Sequence, residues 1–208
     1  MIDPSQNTDN NIDCMNACEK FMKRAGDVVG SIVGLIILSP VFTVIYVLLK
    51  IDSRGPAIFS QERIGKGGKP FLIYKFRTMI VKSEQNGPKL AQKNDKRLTR
   101  VGRVLRANHL DELPQLWNVL KGDMSLVGYR PERKYYIDKI MKINPDYAKL
   151  YCTRPGVTSD ATLHNGYTDT MDKMLRRLQM DLDYLRRHSL LTDLKIIAET
   201  LFCFFSAK

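Results

Sequence analysis

An uncharged apolar segment near the N-terminus constrains this chain more than any other feature. Residues 28–49 read VVGSIVGLIILSPVFTVIYVLL and carry no charged side chain. As one straight helix they would measure about 33 Å at about 1.5 Å per residue, enough to cross the hydrocarbon core of a bilayer. A cleaved signal peptide fits poorly, because the segment begins late and is followed by Lys50, Ile51 and Asp52 rather than by small residues. We therefore expect this segment to attach the chain to a membrane.

The same segment differs from an ordinary single-pass helix. Cations flank it on both sides, within residues 20–24 and 50–69, so both flanks favour the cytoplasmic face. Pro40 lies at its centre, where the missing amide hydrogen bends or breaks a helix, and the Ser39 hydroxyl is available for a carbonyl that the break frees. These features predict a re-entrant helix–break–helix over residues 19–50, bent at Ser39 and Pro40. A kinked crossing of the bilayer is the alternative.

The charge balance narrows the possible partners. The 208 residues include 33 Lys and Arg against 22 Asp and Glu, a formal net charge of +11. Such an excess indicates an anionic partner: nucleic acid, an anionic membrane surface or a phosphorylated substrate. The length suits one compact domain with an appendage, so we assign residues 1–18 to a flexible polar tail and residues 51–208 to a cytosolic domain. The four cysteines and three histidines lack metal-ligand spacing, which predicts no zinc site and a reduced environment.

The remaining sequence carries both strand and helix signals. Turn residues at 65–70 between two short apolar runs predict a β-hairpin, and residues 82–97 read as a mobile polar loop. Apolar residues recur at helical spacing in three later stretches: 113–120, 137–150 and 171–185. Burial in a core explains such stripes, although the second stretch and the apolar tail at 190–205 could instead lie in the membrane interface. The predicted fold class is α+β: the re-entrant helix pair, then a mostly helical domain with a small β-hairpin and interfacial amphipathic helices.

Charged residues of potential chemical interest cluster between residues 98 and 132. The cluster contains arginines and an adjacent pair of carboxylates: Arg100, Arg103, Arg106, Asp111, Glu112 and Arg130. Pro114 and Gly122 predict a helix over residues 112–121, with Asp111 at or near its N-cap. One interpretation of Asp111 is therefore an ordinary N-cap.

The arginines also admit a simple interpretation, a solvated basic face or a surface for the DNA backbone. Base-stacking aromatic residues are not interleaved with these cations, so nucleic acid is not an expected partner. A chemical interpretation fits the carboxylates better. Helix amides and guanidinium groups hold phosphate, Asp is a known covalent nucleophile in phosphoryl transfer, and Glu112 beside it could ligate Mg²⁺.

Several motifs resemble those of the bacterial sugar transferases, also called monotopic phosphoglycosyl transferases. The longest is the run LDELPQLWNVLKGDMSLVG followed by Arg130-Pro131. The others are Ser39-Pro40, Arg63-Ile64-Gly65, YKFRTM at 74–79, Arg154-Pro155-Gly156 and the closing LLTDLKIIAETL. The resemblance covers nearly the whole chain after residue 20, and it is to the minimal, single-domain members. Where many members read Pro-Arg-Pro, this chain has Tyr129-Arg130-Pro131.

The resemblance implies transfer of a sugar-1-phosphate from a UDP-sugar to undecaprenyl phosphate, with release of UMP. It implies a monotopic protein with its catalytic domain on the cytoplasmic face of the bacterial inner membrane. Asp111 would be the nucleophile, Glu112 and Asp111 would hold Mg²⁺, and Arg106 would contact phosphate. Substrate-binding roles fall on six further residues: Arg103, Lys75, Arg77, Arg130, Pro131 and Arg154. Ser39 and Pro40 would form the membrane bend.

Two other functions stay open from the residues alone. A non-catalytic membrane adaptor would use the basic surface to bind anionic lipids, and a nucleotide-sugar pyrophosphatase would share the Arg and Mg²⁺ features. The sequence leaves open which sugar is used, which glycan pathway is served, and whether the chain forms a homodimer.

Overall fold

The computed structural model describes residues 13–81, 87, 95–166 and 168–206. It is an α+β fold in which helices dominate. Its α-helices are α1 (Ala17–Ile37), α2 (Ser39–Asp52), α3 (Arg100–Ala107), α4 (Gln115–Lys121), α5 (Lys134–Ile143), α6 (Asp160–His164), α7 (Met171–Arg186) and α8 (Leu190–Ser206). Its strands are β1 (Ile58–Ile64), β2 (Pro70–Phe76), β3 (Ser125–Val127) and β4 (Gly156–Thr158). Most of the predicted loop at 82–97 lies outside the described residues.

The predicted break in the apolar segment is confirmed as a bend of 59° between α1 and α2. Pro40 lies in the first turn of α2, where its missing amide hydrogen leaves no intrahelical bond unmade. The Ser39 hydroxyl donates to the carbonyl of Ile36 at 2.8 Å, and the Leu38 amide donates to Gly34 at 2.9 Å. No single helix among the described residues is long and apolar enough to cross a membrane, whereas the bent pair together meets that requirement.

The N-terminal half of α1 packs on the rest of the protein through polar contacts. Arg24 donates to the carbonyls of Val119 and Leu120 at the end of α4, at 2.7 and 3.1 Å. Asp27 accepts the amide of Leu126 on β3 at 2.9 Å. Lys23 forms an ion pair with Asp193 on α8. These contacts hold the start of α1 on α4, β3 and α8, and the helix continues along α4, where Gly34 lies close to Leu116.

The predicted tail at 1–18 divides into two parts. Residues 1–12 lie outside the described residues. Asp13 and Met15 are buried, Asn16 caps α1 in a reciprocal capping box with Glu19, and Asp13 bonds the Nδ1 of His188 at 2.7 Å. The boundary therefore differs from the sequence-based one, because a residue 175 positions away supplies a buried partner for a polar segment.

The predicted hairpin is confirmed: β1 and β2 pair antiparallel from Ile58–Phe76 to Ile64–Pro70. The second sheet is one short parallel pair, β3 with β4. The main core lies under α5, α7 and the 3₁₀ segment Pro145–Cys152. It takes in the predicted second stripe, including Ile137, Ile140 and Leu150, so that stripe packs in the core and not on a surface. By contrast, α8 exposes Leu191, Leu194 and Phe202 while burying Ile196.

Candidate active site

The carboxylate pair lies in a 3₁₀ turn, Leu110–Glu112, between α3 and α4. The expectation that Asp111 caps a helix over 112–121 is wrong, because α4 begins only at Gln115, after Pro114, and Asp111 belongs to the preceding turn. His109 opens the turn with φ 53°, the single positive φ of a non-glycine residue in the described part of the chain. The end of α4 agrees with the prediction, since Gly122 takes the left-handed conformation at φ 95°.

Glu112 is held by two cations that come from distant parts of the chain. Its Oε1 accepts from Lys75 Nζ and from Arg130 Nη2, both at 2.6 Å, and Arg130 Nη1 lies 3.2 Å from Oε2. Burial alone would raise the pKa of Glu112, but Arg130 and Lys75 together hold that pKa well below its usual range. Glu112 is therefore a fixed anion, and it orients two cations beside Asp111.

Asp111 has a different environment from its neighbour. It is 7% exposed and accepts no hydrogen bond from the described residues. Burial and the adjacent Glu112 carboxylate raise its pKa, while Lys75, Arg106 and Arg130 pull it down. A carboxylate without hydrogen-bond donors, made more basic by its surroundings, is the more nucleophilic of the pair. The two adjacent carboxylates are thus differentiated, one paired and one free.

The structure brings together five of the predicted site residues, which we call the Asp111 cluster: Asp111, Glu112, Lys75, Arg106 and Arg130. Arg103 lies on the exposed side of α3. Arg77 is buried and donates to the carbonyls of Leu49, Ser53 and Arg54, so it binds β2 to the end of α2. That structural role differs from the predicted substrate contact.

Two other predicted residues also have structural contacts. The carbonyl of buried Pro131 accepts from Arg63 at 3.2 Å. Arg154 donates through Nε to the carbonyl of Gly122 at 2.9 Å, and it lines a cavity that shares no residue with the Asp111 cluster. Roles for Pro131 and Arg154 in substrate binding stay predictions.

A second charged network, which the sequence analysis did not predict, is centred on Glu132, two residues after Arg130. Glu132 pairs with Arg177 at 2.6 Å and with Arg63 at 3.3 Å. Asp181, one turn along α7 from Arg177, is 3% exposed, and its burial raises its pKa to about 8. A signal was present: Arg177 and Asp181 are four residues apart beside the apolar stripe of α7, where charged residues are unexpected unless they are paired.

The predicted Mg²⁺ site depends on which side chains could supply ligands. Within the described ranges, no group of three or more His, Cys, Asp or Glu side chains could hold a metal ion. The adjacent pair Asp111 and Glu112 offers hard oxygen ligands. Asp111 accepts no hydrogen bond from the described residues, whereas both oxygens of Glu112 already accept from Lys75 or Arg130. Mg²⁺ suits such a pair, because it commonly takes one or two carboxylates and completes its shell with water and substrate phosphate.

Comparison with known proteins decides the family. A model of the family described as bacterial sugar transferase matches residues 18–207. The chain belongs to the bacterial sugar transferase family. The chain is 41% identical over 181 residues to a UDP-N-acetylgalactosamine-undecaprenyl-phosphate N-acetylgalactosaminephosphotransferase of Aeromonas hydrophila, in an alignment covering 87% of this chain and 43% of that protein.

Two further relatives differ in how much of their length is matched. A UDP-glucose:undecaprenyl-phosphate glucose-1-phosphate transferase of Caulobacter vibrioides is 44% identical over 180 residues, covering 86% of this chain and 67% of the relative. An exopolysaccharide production protein of Rhizobium leguminosarum is 38% identical over 189 residues, covering 86% of this chain and 92% of the relative. The chain thus spans less than half of the Aeromonas protein and nearly all of the Rhizobium one.

Proposed function

We propose that this chain transfers a sugar-1-phosphate from a UDP-sugar to undecaprenyl phosphate, releasing UMP at the cytoplasmic face of the bacterial inner membrane. The observation that carries the proposal is the contrast within the carboxylate pair. Glu112 is committed to Lys75 and Arg130, whereas Asp111 is left without a hydrogen-bond donor beside three cations. The names of the Aeromonas and Caulobacter relatives specify this class of donor and acceptor.

The proposed reaction has two steps at Asp111. A carboxylate oxygen attacks the β-phosphorus of the UDP-sugar, and the bond from that phosphorus to the bridging oxygen breaks and releases UMP. A phosphate oxygen of the lipid then attacks the phosphosugar–aspartyl intermediate and frees the Asp111 carboxylate. Lys75, Arg106 and Arg130 offset the charge that collects around phosphorus in both steps. Asp111 and Glu112 would hold Mg²⁺, which when bound reduces the repulsion between carboxylate and diphosphate.

The proposed membrane attachment uses the bent pair α1–α2 as a re-entrant hairpin. The residues that flank the bend are apolar and exposed, Ile36 at 68% and Ile37 at 67%. With a bend of 59°, both arms can lie at a shallow angle to the membrane and reach the same face, and the polar contacts of Arg24 and Asp27 hold the start of α1 on the rest of the protein. This arrangement keeps the site at the surface where a long-chain lipid phosphate lies.

The covalent step is tested by trapping the intermediate. Incubation with a radiolabelled UDP-sugar before any lipid acceptor is added should label the protein at Asp111, as located by mass spectrometry. We expect Asp111→Asn to abolish both labelling and turnover, since the amide is a poor nucleophile. Asp138→Asn, at an exposed carboxylate on α5, is the matched control and should label normally.

Three results would contradict the proposal. Full turnover by Asp111→Asn would exclude this nucleophile. Function retained by Asp111→Asn combined with Glu112→Gln would indicate a non-catalytic adaptor. Sugar phosphate released to water, with no product extractable into organic solvent, would indicate a pyrophosphatase. A panel of UDP-sugars, scored by UMP release, would identify the donor.

A further inference from the structure

The cavity lined by Arg154 is polar and lies apart from the Asp111 cluster. It is bounded by the start of α1, the hairpin turn and the segments that lead into β3 and β4, and its volume is about 60 Å³. That volume is enough for about four water-sized groups. Five cations line it: Lys20, Lys23, Arg24, Lys66 and Arg154.

The cavity contains hydrogen-bonding groups that the protein leaves unused. Ser125 is 0% exposed and Thr153 is 8% exposed, and neither hydroxyl has a hydrogen-bond partner in the part of the chain that the structure describes. Toward the described residues, the Arg154 guanidinium uses only its Nε, on the carbonyl of Gly122, so both terminal nitrogens are available. The side chain of Lys66, at the rim, makes no ion pair or hydrogen bond with the described residues, although its backbone carbonyl accepts the Lys69 amide. Buried polar groups are usually paired, so unpaired donors in one cavity indicate a missing acceptor.

Both carboxylates of the cavity have a partner, although Asp13 Oδ2 has only an ion pair and no hydrogen bond among the described residues. Asp13 pairs with Lys20 at 2.9 Å and bonds His188, while Asp27 accepts the amide of Leu126. The groups without a hydrogen-bond partner among the described residues are therefore the terminal nitrogens of a guanidinium, an ammonium, two hydroxyls and the Nε2 of His188. Such a set suits a compact oxyanion with several acceptor oxygens, which can take a guanidinium fork and hydroxyl donors at once.

We propose that this cavity binds a phosphate group, separately from the Asp111 site, through Arg154, Lys66, Ser125 and Thr153. Two sources share that chemistry: a free phosphate ion, and the headgroup of an anionic phospholipid. The lining of this cavity shares no residue with the Asp111 cluster, so the two sites are separate in space.

Calorimetric titration of the detergent-solubilised full chain with inorganic phosphate, at constant ionic strength, tests the site. We expect saturable binding that Lys66→Gln weakens about tenfold, the loss expected for one charged hydrogen bond. Lys69→Gln is the matched control, an exposed lysine of the same turn that does not line the cavity, and it should bind as wild type does. Thr153→Val should also weaken binding about tenfold and should not lower the melting temperature, because it removes an unpaired hydroxyl.

Reconstitution separates the two sources. In phosphatidylcholine vesicles we expect phosphate to bind as in detergent. If vesicles containing phosphatidylglycerol suppress phosphate binding, the headgroup occupies the site; if they do not, the free ion does. The proposal is overturned if wild type shows no saturable binding in either medium. It is also overturned if Lys66→Gln and Thr153→Val leave binding unchanged, or if Lys69→Gln weakens it equally.

Discussion

His109 determines how the 3₁₀ turn that carries Asp111 and Glu112 leaves α3. Its φ of 53° reverses the chain between the last turn of α3 and the 3₁₀ turn, and its carbonyl accepts the Glu112 amide at 3.2 Å. For residues with a side chain, this conformation costs roughly 1–2 kcal/mol, and β-branched residues tolerate it least. The strain is therefore coupled to the position of Asp111 and Glu112.

Substitution at His109 should follow backbone preference. We expect His109→Gly to keep the wild-type melting temperature and turnover, and His109→Val to lower the melting temperature by about 2–8 °C and to reduce turnover. Scanning calorimetry and a UMP-release assay measure the two effects. Equal behaviour of the Val and Gly variants would show that the turn does not depend on this conformation.

Asp181 gives the protein a pH-dependent stability. Its pKa is raised from an unfolded value of 3.8 to about 8; burial is the main cause, Glu132 adds to it, and Arg177 opposes the shift. Between about pH 4 and 8 the folded chain keeps a proton that the unfolded chain has lost, so this stabilisation falls as the pH rises. The slope is at most about 1.4 kcal/mol per pH unit.

We expect Asp181→Asn to remove this slope, because an amide has no proton to lose. Melting temperatures measured from pH 5 to 8 should decline less steeply for the variant than for wild type, with the variant the more stable at the upper end. Asp183→Asn, on the exposed face of α7, is the control and should leave the slope unchanged. Parallel profiles for wild type and Asp181→Asn would contradict the assignment.

At the scale of the element, α3 is positioned by close backbone contact. A Cβ at Gly102 would lie 2.0 Å from the carbonyl oxygen of Thr78, whereas a Cβ at Gly26 on α1 would meet nothing within 4 Å. The helix that carries Arg103 and Arg106 therefore needs glycine where it meets the chain beyond β2.

The same substitution should thus have opposite effects in the two helices. Gly102→Ala should destabilise the protein by about 1–3 kcal/mol and reduce turnover, since the backbone must shift to relieve the clash. Gly26→Ala should stabilise it by up to about 1 kcal/mol through helix propensity. Thermal melts of the two variants provide the comparison, and a Gly102→Ala variant as stable as Gly26→Ala would refute the close contact.

The bend between α1 and α2 makes a topological prediction. Cys18 is exposed at the start of α1, and Arg54 is exposed just after α2. Two single-cysteine variants test this: one keeps Cys18 and has the other cysteines replaced by serine, and one carries Arg54→Cys with all four native cysteines replaced by serine. Both should react with an impermeant maleimide added to the same side of oriented vesicles. Reactivity from opposite sides would instead establish a kinked crossing.

At the scale of the whole molecule, apolar surface and charge offer two different modes of membrane attachment. The exposed faces of α1 and α2 are apolar, and the chain carries a net charge of +11. If the apolar faces dominate, as we propose, the protein should remain with the membrane fraction in about 1 M salt, where charges are screened beyond about 3 Å, and detergent should release it. Release by salt alone would indicate electrostatic adsorption.

The sequence by itself determined the features that depend on residues close together in the chain. Pro40 imposes a break wherever the segment lies, the glycines at 65–68 close a hairpin, and Asp111 and Glu112 are neighbours by covalent connection. The motifs also indicated the family, because the longest of them is one continuous run of the chain.

Only the tertiary structure decided which distant groups meet. Lys75 and Arg130 converge on Glu112, while Arg77 and Arg154, equally basic in the sequence, face backbone carbonyls elsewhere. The buried pairs Asp13–His188 and Glu132–Arg177 likewise join segments far apart in the chain. The physical reason is that a charge is buried only where packing supplies a partner, and packing depends on all the elements at once.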